Sequence, residues 1–136
     1  KQTIHLLKIN QIIKLLSICK TKLNPNGKII ILSLDIKINE IPTFTLMNKK
    51  LKRSLNRDKK IIDLIIKIHP KIIIKKFIFN VKILKSEYLK MIEKRYISTL
   101  LNFSDKQIKD GLVEIDLKDK KDLKFKDRLI CLILKK

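Results

Sequence analysis

The chain has 136 residues, of which 45% are hydrophobic and 34% are charged. That composition supplies the core of one ordinary domain and excludes a disordered tail. Two glycines and two cysteines exclude a collagen-like repeat, a glycine-rich linker and a disulfide scaffold. Lysine interrupts every apolar stretch before it reaches the about 20 residues that span a bilayer, so we expect no membrane contact.

The formal net charge of +20 leaves two interpretations open. Clustered cations bind nucleic acid by releasing counterions from phosphate, so the charge is compatible with a polyanion partner. Only four of the 33 basic residues are arginines, however, and arginine is the usual reader of guanine and phosphate. The absence of alanine and the excess of Ile, Lys and Asn also indicate a codon bias toward A and T.

The first third of the chain has the pattern of an α/β repeat. Apolar residues at intervals of three and four predict a helix over Ile9–Leu23. Asn24–Gly27 is a turn, in which Gly27 is expected to accept a positive φ. Lys28–Leu34 contains four consecutive apolar residues, which predicts a strand buried on both faces, as in a helix-covered parallel sheet.

The middle of the chain predicts two helices and a strand. Phe44–Leu55 is expected to form a short basic helix, and Asp58 is expected to cap a second helix that ends at His69. Lys71–Leu84 then has the alternation of a strand.

The last third predicts two helices and a final strand. The first helix covers Ser86–Leu101, and Ser104 with Gln107 forms the capping box of the second. A charged loop follows at Asp116–Asp122, and the chain ends in a buried strand, Leu129–Leu134. With no repeat and no linker, residues 1–136 are expected to form a single unit.

Several segments resemble the C-terminal half of class I S-adenosylmethionine-dependent methyltransferases of the trans-aconitate methyltransferase-like kind, also called methyltransferase type 11. The segments that carry the resemblance are Leu23–Leu32, Met91–Leu100, Phe103–Gly111 and Phe125–Leu129. They are similar, in order, to the family's turn and fifth strand, its arginine–aromatic–serine helix, its following helix and its Asp-Arg strand.

The resemblance implies a Rossmann-like sheet in which strands five, six and seven are neighbours. The last strand would run antiparallel between the other two. The family's acidic, glycine-rich cofactor loop has no counterpart, since the only glycines are Gly27 and Gly111. The chain is therefore expected to be inactive alone, with Lys28–Leu34 forming an edge that pairs with a missing N-terminal half or with another chain.

The resemblance also implies candidate residues on the substrate side. His5 would lie near the reacting methyl group, with a surface histidine as the alternative. Asp35 would meet substrate or remain a solvated strand-end carboxylate. Arg95, Tyr96 and Ser98 would close over a small-molecule substrate, or else Arg95 would form a salt bridge on a packed helix face. No catalytic residue and no metal site is assigned.

Two functions follow as expectations. The first is part of a methyltransferase that uses S-adenosylmethionine, in which this half shapes the substrate side. The second is a basic, non-catalytic α/β protein that binds RNA or associates with a ribosome. Cys19 and Cys131 are expected to be buried and reduced, and an intracellular location is expected.

Overall fold

The computed structural model describes residues 7–35, 37–38, 40–118 and 122–136. Within them the chain forms four α-helices, one 3₁₀ turn and three strands. In chain order these are α1 (Ile9–Lys22), β1 (Lys28–Leu34), α2 (Thr45–Ile68), β2 (Ile73–Ile83), α3 (Lys85–Glu93), the 3₁₀ turn (Ser98–Leu100), α4 (Asp105–Lys118) and β3 (Leu123–Lys135). The predicted α/β class is confirmed.

The three strands form one sheet in the order β1-β3-β2. β3 runs antiparallel to β1, with Ile31 opposite Leu132 and Lys28 opposite Lys135. The prediction that the last strand lies between the other two is therefore confirmed. β1 is an edge strand, so one row of its backbone groups has no strand partner among the described residues.

Burial of β1 differs from the prediction, because only one of its faces is covered. Ile31 is 9% exposed, whereas Ile30 is 60% exposed and Leu32 is 42% exposed. Successive side chains of a strand point to opposite sides, so the covered side carries Ile29 and Ile31. The prediction that β1 is buried on both faces was therefore wrong. A continuous apolar run does not distinguish a strand covered on both faces from one covered on a single face.

The turn before β1 also differs in detail from its prediction. Asn26 takes the positive φ of 65°, and neither glycine has a positive φ. Asparagine is among the few residues that enter the left-handed region readily. Gly27 contributes close packing instead, since its N–H donates to the Asn24 carbonyl at 2.9 Å and an added Cβ would lie 2.9 Å from that same oxygen.

Contacts divide the chain into two compact units. The first contains the described residues of Lys1–Ile38, Leu55–Ile78 and Arg128–Lys136, and the second contains those of Asn39–Ser54 and Phe79–Asp127. The core of the first unit joins α1, the C-terminal part of α2 and the covered side of the sheet. Its buried residues are Ile12, Leu16, Ile31, Ile61, Ile62, Ile65, Ile130, Leu132 and Leu134.

The second unit has its own core, built around α3 and α4. Its buried residues are Phe44, Met47, Tyr88, Ile92, Leu100, Ile108, Ile115 and Leu123. Gly111 of α4 lies against the Phe44 ring, and Phe44 meets Phe103 edge to face at 5.5 Å between ring centroids.

Two helix boundaries differ from their predictions. α2 is one helix of 24 residues, and Asp58 lies inside it instead of capping a separate helix. Buried Leu51 and Leu55 continue the apolar stripe through this region to Ile62, so burial outweighs the capping preference of aspartate. α3 ends at Glu93 instead of continuing to Leu101.

The capping box that begins α4 is confirmed. The Ser104 N–H donates to Gln107 Oε1 at 3.0 Å, and the Gln107 N–H donates to Ser104 Oγ at 3.2 Å. The two residues thus satisfy backbone donors that the first turn of α4 would leave unpaired.

A carboxylate from α4 caps the beginning of α2, whose own first turn has no acidic residue. Glu114 accepts the Thr45 N–H at 2.9 Å and the Thr45 hydroxyl at 2.6 Å, and it pairs with Lys118. Hydrogen bonds from Lys118 and Thr45 lower the pKa of Glu114 from 4.5 to about 2. The negative charge of Glu114 also interacts favourably with the positive end of the α2 helix dipole.

E114Q is expected to be less stable than the wild type at pH 7, because the amide loses the charge that Thr45 and Lys118 contact. Since the folded pKa of Glu114 is depressed, its contribution is complete above about pH 4.5 and disappears as the pH falls toward 2. Urea unfolding of both proteins across this range should therefore show the stability difference narrowing with acidification. E93Q, which changes an exposed glutamate at the end of α3, is the control, and its difference should be small throughout. A constant E114Q deficit from pH 7 to pH 2 would contradict the charge-based cap.

Candidate functional site

The second unit contains a polar cluster formed by Tyr88, Tyr96 and Asp127, which we call the tyrosine cluster. Tyr88 Oη donates to the Pro42 carbonyl at 2.6 Å and lies 3.2 Å from Tyr96 Oη. The Tyr88 and Tyr96 rings meet edge to face at 6.0 Å between centroids, and Phe125 also meets Tyr88 edge to face, at 6.1 Å.

The direction of these hydrogen bonds follows from donor counting. A carbonyl oxygen only accepts, so the single proton of Tyr88 is used on Pro42. Tyr96 must then donate its proton to the Tyr88 oxygen. The lone pairs of Tyr96 Oη remain able to accept a hydrogen bond from a ligand.

Both tyrosines are held in their neutral form. Burial raises the pKa of Tyr88 far above its ordinary value of 10.0, and the neighbouring Tyr96 raises it further. Burial also raises the pKa of Tyr96, the hydrogen bond with Tyr88 lowers it, and the negative charge of Asp127 raises it. Near neutral pH these hydroxyls orient ligands through hydrogen bonds and do not act as phenolate bases.

Asp127 lies close enough to Tyr96 for its negative charge to raise the pKa of that hydroxyl. Its Oδ1 is buried and has no hydrogen-bond partner among the residues that the structure describes. An unpaired buried polar atom costs about 1–3 kcal/mol, and more when it is charged. The atom is therefore suited to accept a hydrogen bond from an N–H or O–H group that enters the cluster.

Arg95 and Ser98 are placed differently from Tyr96. Arg95 Nη2 donates to the Phe103 carbonyl at 2.9 Å and to Asp105 Oδ1 at 2.7 Å, so it joins the end of α3 to the start of α4. Its backbone φ of 52° breaks the helix at this point. Ser98 is exposed and begins the 3₁₀ turn.

Asp35 belongs to the first unit and directly follows β1. It is buried, and its N–H donates to the Arg128 carbonyl at 2.8 Å. Its carboxylate accepts the Lys37 N–H at 2.9 Å and lies 3.5 Å from Lys76 Nζ. Asp35 is thus a paired carboxylate that fixes the end of the strand. His5 lies outside the described residues.

Among the described residues the two glycines lie apart, one in a turn and one in α4, so no glycine-rich loop for S-adenosylmethionine is present there. Both glycines have packing roles, Gly27 against the Asn24 carbonyl and Gly111 against the Phe44 ring. In the described part of the chain no three His, Cys, Asp or Glu residues lie close enough to hold a metal ion. Cys131 is buried, Cys19 is half-buried, and both are free.

Tyr88 and Asp127 are the residues that sequence reasoning did not place in a site. The sequence alone places Tyr88 within the predicted helix Ser86–Leu101 and Asp127 within the segment Phe125–Leu129. One signal was present, because Tyr88 and Tyr96 are the only tyrosines of the chain and Asp127 lies in a segment that carries the resemblance.

No protein-family model matches this chain, and no curated protein matches its sequence. Within the described ranges, every helix is too short or too polar to cross a membrane.

Proposed function

We propose that this chain is the C-terminal, substrate-side half of a class I S-adenosylmethionine-dependent methyltransferase that acts on a small molecule. The observation that carries the proposal is the strand order β1-β3-β2, with the last strand antiparallel to β1 and inserted beside it. Sequential strands are neighbours in roughly two-thirds of cases, and here β3 instead separates the sequential strands β1 and β2. It is the arrangement that the resemblance implies for strands five, seven and six.

The free edge of β1 supports the same proposal. The exposed Ile30 and Leu32 lie on an edge strand, where unpaired backbone groups favour association. In the family this edge pairs with the fourth strand, and the cofactor is bound beyond it. We therefore assign the pairing partner to the N-terminal half of the enzyme or to another chain that supplies it.

The tyrosine cluster indicates the kind of substrate. Asp127 offers a carboxylate oxygen and Tyr96 offers a hydroxyl acceptor, so both favour a substrate that donates an N–H or O–H hydrogen bond. A carboxylate near the methyl acceptor could also receive the proton that an amine or hydroxyl loses on methylation. The substrate class is accordingly a small amine or hydroxyl compound.

The test is S-adenosylmethionine binding by the complete gene product, measured by isothermal titration calorimetry, with the 136-residue chain as the comparison. The complete protein should bind the cofactor and the 136-residue chain should not. In the complete protein, D127N should lower kcat while leaving cofactor affinity unchanged. Failure of the complete protein to bind the cofactor would overturn the proposal.

A second function, RNA binding, is favoured by the exposed basic side of α2. The exposed cations there are Lys49, Lys52, Arg53, Arg57, Lys59 and Lys60. Such a surface would bind RNA with an affinity that falls steeply as salt rises. RNA binding of this kind by a complete protein that lacks cofactor affinity would favour the second function over the first.

A further inference from the structure

An apolar groove runs between α1 and the last turns of α2 in the first unit. It encloses about 530 Å³, within the range of small-molecule sites. Its floor is formed by the buried side chains of Ile12, Leu16 and Ile65. Ile13 and Ile68 form its sides and are both 42% exposed, so the apolar lining is open to solvent.

All the charged groups that line this groove lie at one end. A second cavity of about 480 Å³ adjoins it there and shares Lys20, Ile68, His69 and Lys136 with it. This second cavity adds Lys71 and Lys135, and no acidic residue lines either cavity among the described residues. We call this region the cationic end.

The positive charge of the cationic end exceeds the partial negative charge of the two helix C-termini that lie near it. α1 and α2 both end near this point, and each helix C-terminus carries only about half a negative charge. Four lysines therefore leave the region strongly positive. Lys136 is held in place, since its Nζ donates to the Leu23 carbonyl and its N–H donates to the Gly27 carbonyl.

We propose that this groove binds one free long-chain carboxylate, with its apolar tail along α1 and α2 and its carboxylate at the cationic end. An acidic amphipathic helix would require cations along the whole groove, whereas this groove has them at one end only. A single anionic head on an apolar tail matches that distribution. This inference does not depend on the proposed methyltransferase function.

The binding experiment is calorimetry of the 136-residue chain with dodecanoate below its micelle concentration. Dodecanol and dodecyltrimethylammonium carry the same tail with a neutral and a cationic head. Dodecanoate should bind at one site per chain, dodecanol more weakly, and the cationic analogue not at all. Equal binding of all three compounds, or binding only to anionic phospholipid vesicles, would overturn the proposal.

Matched variants separate the groove from the general positive charge of the protein. The double variant K20Q/K71Q should weaken dodecanoate binding about tenfold, because it removes two lysines of the cationic end. K14Q/K67Q lowers the net charge of the protein by the same amount, but its two exposed lysines lie outside the groove. This variant should leave dodecanoate affinity unchanged within about twofold. Equal losses in both double variants would overturn the proposal.

A third variant tests the apolar part of the groove. Ser17 is an exposed residue of α1 that lines it, so S17W should fill the groove and abolish dodecanoate binding without entering the core. Thermal unfolding monitored by circular dichroism checks that the variant is folded. Unchanged dodecanoate affinity in folded S17W would overturn the proposed position of the tail.

Discussion

Replacing Ile31 by alanine is expected to lower the free energy of unfolding by about 2–4 kcal/mol. Ile31 is 9% exposed, packs in the core of the first unit and pairs with Leu132 across the sheet. The truncation removes buried methyl groups and leaves a cavity that the strand can only partly close. Urea unfolding followed by circular dichroism measures the loss.

The neighbouring variant I30A is the matched control. Ile30 lies in the same strand but is 60% exposed, so the same substitution should cost about 1 kcal/mol or less. Both variants lose the same β-propensity. The difference between their losses in free energy of unfolding therefore measures the effect of burial. Equal losses would contradict a β1 strand that is covered on one face only in the isolated chain.

The sequence predicted the limits of β1 and α1 almost to the residue, because local signals coincide there. A proline, a glycine and an abrupt change from helical spacing to an apolar run all fall at residues 23–28. At Asp58 the local signal pointed to a cap, while the buried stripe through Leu51 and Leu55 required a continuous helix. Burial of a long apolar stripe is a tertiary effect that a single capping residue does not reveal.

The sequence predicted less of the candidate site than of the first helix and strand, and the reason is geometric. A helix continuing to Leu101 would separate Tyr88 and Tyr96 by about 12 Å along its axis. The observed break at Arg95, where φ is 52°, brings the two hydroxyls to 3.2 Å. A non-glycine residue in the left-handed region is uncommon, so no propensity rule would have placed the break there. Tyr96 could be named from the motif, but its partners could not.

The replacement of Gly111 by alanine is expected to destabilise the protein by about 1–3 kcal/mol, although alanine favours helices. A Cβ at this position would lie 2.6 Å from two carbons of the Phe44 ring, closer than two such atoms can approach. Phe44 is itself buried and packed against Phe103, so its ring cannot move aside freely. The overlap should exceed the gain of about 1 kcal/mol in helix propensity.

A double-mutant cycle attributes the effect to this contact. F44L removes the ring, so G111A should cost clearly less in the F44L background than in the wild type, with a coupling of about 1 kcal/mol or more. D110A, an exposed substitution on the same helix, introduces alanine without a new contact and should change stability by about 0.5 kcal/mol at most. If G111A instead stabilised the protein as its helix propensity alone predicts, the close approach of α4 to Phe44 would be wrong.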